Sequence, residues 1–134
     1  SVRIPLIVRM PTSAARGTRV DALVEAVDMY PSLVELCGLS KPPQELEGVS
    51  FAPLLDDPTL PWKKAVFISW LKPGAMAVKT HEYSYHSKPG GVFDELYDLR
   101  ADPVETVNII GERPDVLEEM VELLTAGWRA AVPE

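Results

Sequence analysis

Four short runs of residues between positions 65 and 99 constrain the fold most strongly. Each run is rich in aromatic or β-branched residues and is bounded by proline, glycine or polar pairs; the runs are 65–70, 75–79, 82–86 and 95–99. Short runs with such breaks between them are typical of consecutive antiparallel strands. They predict a four-stranded antiparallel meander, with Tyr83 and Tyr85 on one face and Ser84 on the other.

A helix is predicted directly after the meander. Residues 114–131 carry apolar side chains at helical spacing, with a proline at the first position and acidic residues in the first turn. Acidic side chains favour this position because the N-terminus of a helix carries partial positive charge. We expect the apolar stripe of the helix to cover one face of the sheet, which makes residues 64–134 a small α+β unit.

The N-terminal third predicts an α/β arrangement. Residues 6–8 form an apolar run without polar alternation, which is typical of a strand covered on both faces in a parallel sheet. A short extended piece is expected over 18–23, and a helix over 28–37 with Asp28 as its cap and Gly38 after its end. A buried strand this near residue 1 has no preceding strand to pair with, so we expect the sequence to be a piece of a longer protein.

The stretch from 40 to 63 separates these two parts. It holds five prolines with acidic residues between them, which predicts an extended connector with one short turn at 51–55.

The composition excludes several classes of protein. With 134 residues, 46% of them hydrophobic and 25% charged, the chain has the profile of a folded globular domain. No apolar run approaches the roughly 20 residues that cross a bilayer. The 20 acidic residues outnumber the 13 basic ones, which are scattered, so a broad nucleic-acid surface is not expected. We predict no nucleic-acid partner and no membrane partner.

The residues do not assemble a catalytic or metal site. His81 and His86 are expected on opposite faces of a strand, so they do not converge on one ion. Cys37 ends an apolar helix and is expected to pack as a small hydrophobic residue. Asp102 and Glu105 are expected to begin a helix, as its cap and as the acid that bonds back to the cap. We predict no catalytic residue, no metal ligand and no cofactor within this chain.

Five segments follow one another in a recognisable order: Arg3-Ile4-Pro5-Leu6-Ile7-Val8; Val27-Asp28-Met29-Tyr30-Pro31-Ser32-Leu33 with Leu36-Cys37-Gly38-Leu39; Leu46-Glu47-Gly48-Val49-Ser50 with Pro53-Leu54-Leu55; Val78-Lys79-Thr80 with Tyr83-Ser84-Tyr85; and Glu95-Leu96-Tyr97-Asp98-Leu99 with Asp102-Pro103, Glu105 and Asn108. In this order the chain resembles the C-terminal part of type I sulfatases, most closely the iduronate-2-sulfatase-like and choline-sulfatase-like group. The likeness spans nearly the whole sequence.

The resemblance implies an alkaline-phosphatase-like enzyme that hydrolyses sulfate esters. In that family a formylglycine made from Cys or Ser acts with a Ca²⁺ ion, and these groups precede the segment matched by residues 3–8. Cys37 does not match the formylglycine signal Cys-x-Pro-x-Arg, because Gly38-Leu39-Ser40-Lys41 follows it. The resemblance therefore places formylglycine and Ca²⁺ in a missing N-terminal part, which is the expected partner of this chain.

The resemblance also divides the chain into three parts. Residues 1–39 are expected to be the last strand and helix of the large α/β domain, 40–63 a proline-rich crossover, and 64–134 the C-terminal subdomain.

In the family the loops of this subdomain help shape the substrate pocket. The loop after Trp70 and the loop 86–91 are the candidates here, and Trp70, Lys72, His86 and Lys88 are the candidate contacts to a small sulfated substrate. The alternative for the charged side chains is that they are solvated loop charges.

Three functions remain open from the sequence. The first is a C-terminal chain of a sulfatase that is inert alone and completes the fold and the substrate pocket; alone, it is expected to self-associate through the exposed edge of the truncated domain. The second is an independent non-catalytic carbohydrate- or protein-binding module, with Trp70 or Tyr85 stacked on a sugar ring. The third is a phosphohydrolase of the same superfold. The residues do not indicate where the protein is located. The resemblance implies a periplasmic, secreted or lysosomal protein.

Overall fold

The computed structural model describes residues 3–11, 16–69, 74–88, 90 and 93–133. Its centre is an antiparallel sheet in which consecutive strands are neighbours, in the order β1-β2-β3-β4. The strands are β1 (Val66–Ser69), β2 (Met76–Lys79), β3 (Tyr83–Ser87) and β4 (Glu95–Asp98). The predicted four-stranded antiparallel meander is confirmed.

The register gives the sheet one apolar and one polar face. Val78 lies opposite Tyr85, and Tyr85 lies opposite Leu96, so these three buried side chains share the first face. Lys79 lies opposite Ser84, and Ser84 opposite Tyr97, so the second face is polar. Because direct neighbours in an antiparallel pair point to the same side, the division follows from the pairing alone.

The C-terminal helix α2 (Pro114–Ala126) covers the apolar face. Val116 and Met120 are buried in the same cluster as the three residues of that face, which is the packing that the sequence predicts. The helix ends earlier than position 131, because Gly127 has φ 77° and leaves the helical conformation. A single 3-10 turn, Trp128–Ala130, follows.

The outer edge of β4 is also covered. The side chain of Asn108 accepts a hydrogen bond from the Leu96 amide at 3.0 Å, and the Ile109 amide donates to the Leu96 carbonyl at 2.8 Å. These bonds satisfy backbone groups that an edge strand would otherwise leave open.

The predicted N-terminal helix is α1 (Met29–Leu36), preceded by a 3-10 turn at Ala26–Asp28. Gly38 ends it with φ 61°, and the Leu39 amide donates to the Val34 carbonyl at 2.9 Å, as in a Schellman motif. The expectation that Cys37 is packed is wrong: the residue follows the last helical turn and is exposed.

The strand predicted at residues 6–8 is not formed. Residues 3–10 run without regular secondary structure, and the side chain of Ile7 is 89% exposed. A strand needs a hydrogen-bonded neighbour, and the described part of this chain offers none to this segment. The apolar run is therefore left without its partners.

The connector holds one short 3-10 turn at Ala52–Leu55, as predicted for residues 51–55. Before it, the backbone at Gly48 lies directly against the backbone of Val27: a Cβ at position 48 would be 2.0 Å from the Val27 carbonyl oxygen. Only glycine permits this approach. Within the described ranges, no helix is both long and apolar enough to cross a bilayer.

Candidate functional site

Five side chains form a polar cluster on the second face of the sheet: Lys79, Ser84, His86, Tyr97 and Glu105. The Glu105 carboxylate accepts hydrogen bonds from the Lys79 ammonium and the Ser84 hydroxyl. The Nε2 atom of His86 lies 2.9 Å from Ser84 Oγ and 3.8 Å from Glu105 Oε1. The ring of Tyr97 meets the His86 ring edge-on, with centroids 5.6 Å apart. Side chains from β2 and β3 thus converge on the Glu105 carboxylate, and Tyr97 of β4 packs against His86.

Glu105 reaches the cluster from a turn, and no helix begins at Asp102 as the sequence predicted. The Asp102 carboxylate accepts hydrogen bonds from the amides of Thr106 and Val107 at 2.5 and 2.8 Å, which folds the backbone over Glu105. Glu105 takes φ 60° there, so its side chain points to Lys79 and does not bond back to a cap. The sequence singled out Glu105, but it did not indicate that its partner would be Lys79 on β2.

The environment of the cluster keeps the His86 ring neutral. Burial lowers the pKa of His86 below its ordinary value, and the nearby Glu105 carboxylate only partly opposes this effect. Burial raises the pKa of Glu105, but the hydrogen bonds from Lys79 and Ser84 outweigh it, so its pKa falls below the ordinary value. Glu105 is therefore the ionised member, and His86 offers hydrogen bonds in place of a charge.

The loop after β3 is held at its base by Asp94. Its Oδ2 atom accepts a hydrogen bond from the Tyr85 hydroxyl at 2.6 Å, and its Oδ1 atom accepts one from the Lys88 amide at 3.0 Å. The Lys88 ammonium lies 3.4 Å from Glu95 Oε1. Sequence reasoning missed Asp94, because only the fold brings it back to Tyr85.

Of the four predicted substrate contacts, the structure describes two. His86 belongs to β3 and Lys88 follows one residue after the strand ends, so both lie at the start of the β3–β4 loop. Trp70 and Lys72 lie outside the described residues.

An open cavity of about 1940 Å³ adjoins the polar cluster. Its walls come from residues 3–6, 8–11, 16–27 and 29, from β1, and from a group that includes Lys79 and Glu105. Lys79 and Glu105 therefore border this cavity on the face of the sheet away from α2, although their side chains are only 12% and 24% exposed.

A second ionic group joins the N-terminal part to the sheet, and sequence reasoning did not find it. The Lys63 ammonium lies 2.7 Å from both Glu25 Oε2 and Asp28 Oδ1. Asp28 also accepts hydrogen bonds from the amides of Glu25 and Val49 at 2.8 Å. The prediction that Asp28 caps α1 is wrong, because its carboxylate makes these contacts and no side-chain cap bond.

The described residues include no group of three or more His, Cys, Asp or Glu side chains that can hold a metal ion. The exposed Cys37 lies apart from the polar cluster on the end of α1.

Comparison with known proteins gives the class. The family model "N-sulphoglucosamine sulphohydrolase, C-terminal" matches residues 1–127. The chain therefore belongs to this family of sulfatase C-terminal regions. The predicted likeness to the C-terminal portion of a sulfatase is confirmed, whereas the narrower iduronate-2-sulfatase-like or choline-sulfatase-like assignment stays a prediction.

Individual relatives agree with this assignment. The chain is 29% identical to an N-acetylglucosamine-6-O-sulfatase of Bacteroides thetaiotaomicron over 136 aligned residues, which cover 91% of this chain and 24% of the relative. It is 30% identical to the arylsulfatase K of Canis lupus familiaris, covering 87% of this chain and 24% of that protein. The chain thus spans about a quarter of the length of these relatives.

Solved structures share the fold. A 2-O GAG sulfatase superposes with a TM-score of 0.63 at 27% identity, covering 74% of this chain and 23% of that one. The phosphonate monoester hydrolase of Agrobacterium radiobacter superposes with a TM-score of 0.66 at 24% identity, covering 83% of this chain and 26% of that one. The chain therefore carries the C-terminal part of the alkaline-phosphatase-like fold.

Proposed function

We propose that the whole protein containing this chain hydrolyses sulfate esters, and that this chain completes its fold and one wall of its substrate pocket. The family match over residues 1–127 carries the proposal. The described residues hold no metal cluster, and Cys37 lacks the proline and arginine of a formylglycine signal. Formylglycine and Ca²⁺ are accordingly assigned to the rest of the protein, and no step of the reaction is assigned to residues of this chain.

The substrate class proposed is a sulfated amino sugar. The family model is named after an N-sulphoglucosamine sulphohydrolase. The Bacteroides thetaiotaomicron relative is named as an N-acetylglucosamine-6-O-sulfatase. The loop residues His86 and Lys88, together with Trp70 and Lys72, are the proposed contacts. Because His86 is held neutral and Lys88 is 3.4 Å from Glu95, hydrogen bonding to hydroxyl groups suits this wall better than strong binding of a second anion.

The remainder of the α/β domain is the proposed partner for the cavity and for the exposed face of α1. Ile4, which lines the cavity, is 77% exposed and Ile7 is 89% exposed; Met29 and Leu33 of α1 are about half exposed. Exposed apolar side chains of this kind favour burial against another part of the protein. The isolated chain, without the rest of the α/β domain, is expected to self-associate for the same reason.

The test is to express the full-length protein, with the formylglycine-generating enzyme, and to measure sulfate release from N-acetylglucosamine 6-sulfate, a sulfate ester, and from N-sulfoglucosamine, the corresponding sulfamate. Phosphate and phosphonate monoesters serve as competing substrates, because a phosphonate monoester hydrolase shares the fold. Sulfate release at a kcat/KM well above that for the phosphorus esters supports the proposal. Preference for a phosphorus ester replaces it with the phosphohydrolase function.

The binding-module alternative is weakened by the position of Tyr85. Its ring is buried against α2 at 4% exposure, so it is not available to stack on a sugar. Carbohydrate binding by a full-length protein that has no hydrolytic activity would nevertheless favour that alternative.

A further inference from the structure

Glu105 has an unusual backbone conformation. Among the residues that the structure describes, it is the one non-glycine residue with positive φ, at 60°. A side chain with a Cβ is disfavoured in this left-handed region, and such a residue persists where its surroundings hold it, often at functional sites. Contacts around Glu105 must therefore stabilise this conformation.

Two sets of contacts hold Glu105 in place. On the backbone side, the Asp102 carboxylate bonds the amides of Thr106 and Val107 and closes the turn. On the side-chain side, the Glu105 carboxylate bonds Lys79 and Ser84 across β2 and β3. The side chains of Lys79 and Glu105 are 12% and 24% exposed, so this ion pair is largely shielded from water.

The hydroxyl of Ser84 transmits the position of Glu105 to His86. A hydroxyl has one proton, so when Ser84 donates it to Glu105, Ser84 must accept from the Nε2–H group of His86, 2.9 Å away. The arrangement fixes both the tautomer and the orientation of the ring. The Tyr97 ring packs against the same ring in a T-shaped arrangement and restricts its rotation.

We propose that Glu105 is a positioning residue of the substrate pocket: held by Lys79, it fixes the His86 ring through Ser84 and through its own carboxylate, 3.8 Å from His86 Nε2, and with the ring it fixes the start of the β3–β4 loop at the pocket wall. The inference rests on the proposed function, since that function brings substrate to His86. Glu105 touches no substrate itself in this proposal.

The titration of His86 gives a readout that a purely structural role would not reproduce. The charged or titratable groups around the ring are Lys79 from β2, Glu95 and Tyr97 from β4, and Glu105. Glu105 raises the pKa of His86 and Lys79 lowers it, so replacing Glu105 by a neutral residue should lower that pKa further. A general loosening would relieve the burial of the ring and raise its pKa instead.

The experiment uses the full-length protein with ¹³C-labelled histidine and the variants Glu105→Gln and Glu105→Asn, with the His86 signal assigned by His86→Gln. Asparagine tolerates the left-handed conformation but is too short to make the same contact with Lys79, so it provides a second variant if the glutamine variant does not fold. Both variants are expected to lower the pKa of His86. Both should raise KM for the sulfated sugar about fivefold and leave kcat within about twofold of the parent value.

Glu112→Gln is the matched control, because Glu112 is an exposed acid seven positions further along the chain. It should change neither the titration nor KM. A pKa of His86 that stays constant or rises in the Glu105 variants overturns the proposal, as does an unchanged KM. If the parent protein releases no sulfate, the proposed function fails, and the titration alone still decides whether Glu105 sets the state of His86.

Discussion

The ammonium of Lys63 lies 2.7 Å from Asp28 Oδ1, and both side chains are almost completely buried. Glu25 completes the group: its Oε2 atom contacts the same ammonium, and its Oε1 atom accepts a hydrogen bond from the Phe67 amide at 2.8 Å. Since β1 is an edge strand, this bond joins the turn before α1 to the edge of the sheet. The group of Lys63, Asp28 and Glu25 therefore connects the two halves of the chain.

Replacing Lys63 by methionine should destabilise the protein strongly. The change leaves the Asp28 carboxylate buried without its counter-ion, and loss of one partner of a buried ion pair costs about 3–5 kcal/mol. Urea unfolding of the full-length protein measures the loss. Lys64→Met is the control, because Lys64 is exposed and should change the free energy of unfolding by less than about 0.5 kcal/mol. A loss for Lys63→Met no larger than for Lys64→Met would contradict the role of the ion pair.

Replacing Gly48 by alanine should also destabilise the protein, for a steric reason. The new Cβ would lie 2.0 Å from the Val27 carbonyl oxygen, and backbone atoms must move to accept it. Overpacking of this kind costs about 1–3 kcal/mol. Gly111→Ala is the matched control, since no atom lies within 4 Å of a Cβ built there. Equal unfolding free energies for the two variants would show that the contact at Gly48 is not rigid.

The burial of His86 predicts a pH dependence of stability. Its folded-state pKa lies below the ordinary value of 6.5, so protonation favours the unfolded state. The stabilisation from the neutral ring is present above pH 6.5 and is lost as the pH falls through the lowered folded-state pKa. Urea unfolding at pH 7.5 and at successive lower pH values measures it.

His86→Gln should remove this part of the pH dependence, whereas His81→Gln should preserve it, because His81 is exposed. The same downward slope in the His86 variant would assign the effect to other groups.

Replacing Asp94 by alanine should loosen the base of the β3–β4 loop. The change removes the acceptor for the Tyr85 hydroxyl and for the Lys88 amide. Hydrogen exchange at the Lys88 amide is expected to accelerate about tenfold, because the bond that protects it is lost. The pKa of Tyr85 should also fall toward its ordinary value, although burial still raises it. Asp56→Ala, at an exposed acid of the connector, should leave both measurements unchanged.

The sheet and α2 were predictable from the sequence because their signals are local. The residue types within runs such as 82–86 and 95–99 indicate strands by themselves. Pro114 and the acidic residues after it mark the start of a helix. The prediction of a strand at residues 6–8 failed because its residues have the composition of a strand, but a strand forms only with a hydrogen-bonded neighbour outside the segment.

The candidate site was harder to predict from the sequence than the fold, because its contacts join distant segments. Glu105 was singled out from the sequence, yet as a helix-capping acid, because its true partner Lys79 is 26 residues away on another strand. Lys63 and Asp94 carried no local signal at all. Their roles depend on which backbone segments meet, and sequence spacing does not contain that information.

The consecutive pairing of the strands also has a consequence for the order of folding. The meander needs only short loops to close, whereas the bonds from Lys63 to Asp28 and from Phe67 to Glu25 bridge 35 and 42 residues. Longer loops cost more entropy to close, so the meander should form first and the N-terminal segment should dock on its edge afterwards. During refolding, amides of β2 and β3 are then protected from hydrogen exchange before the Phe67 amide. Protection of Phe67 at the same rate as β2 would mean that the two halves fold as a single unit.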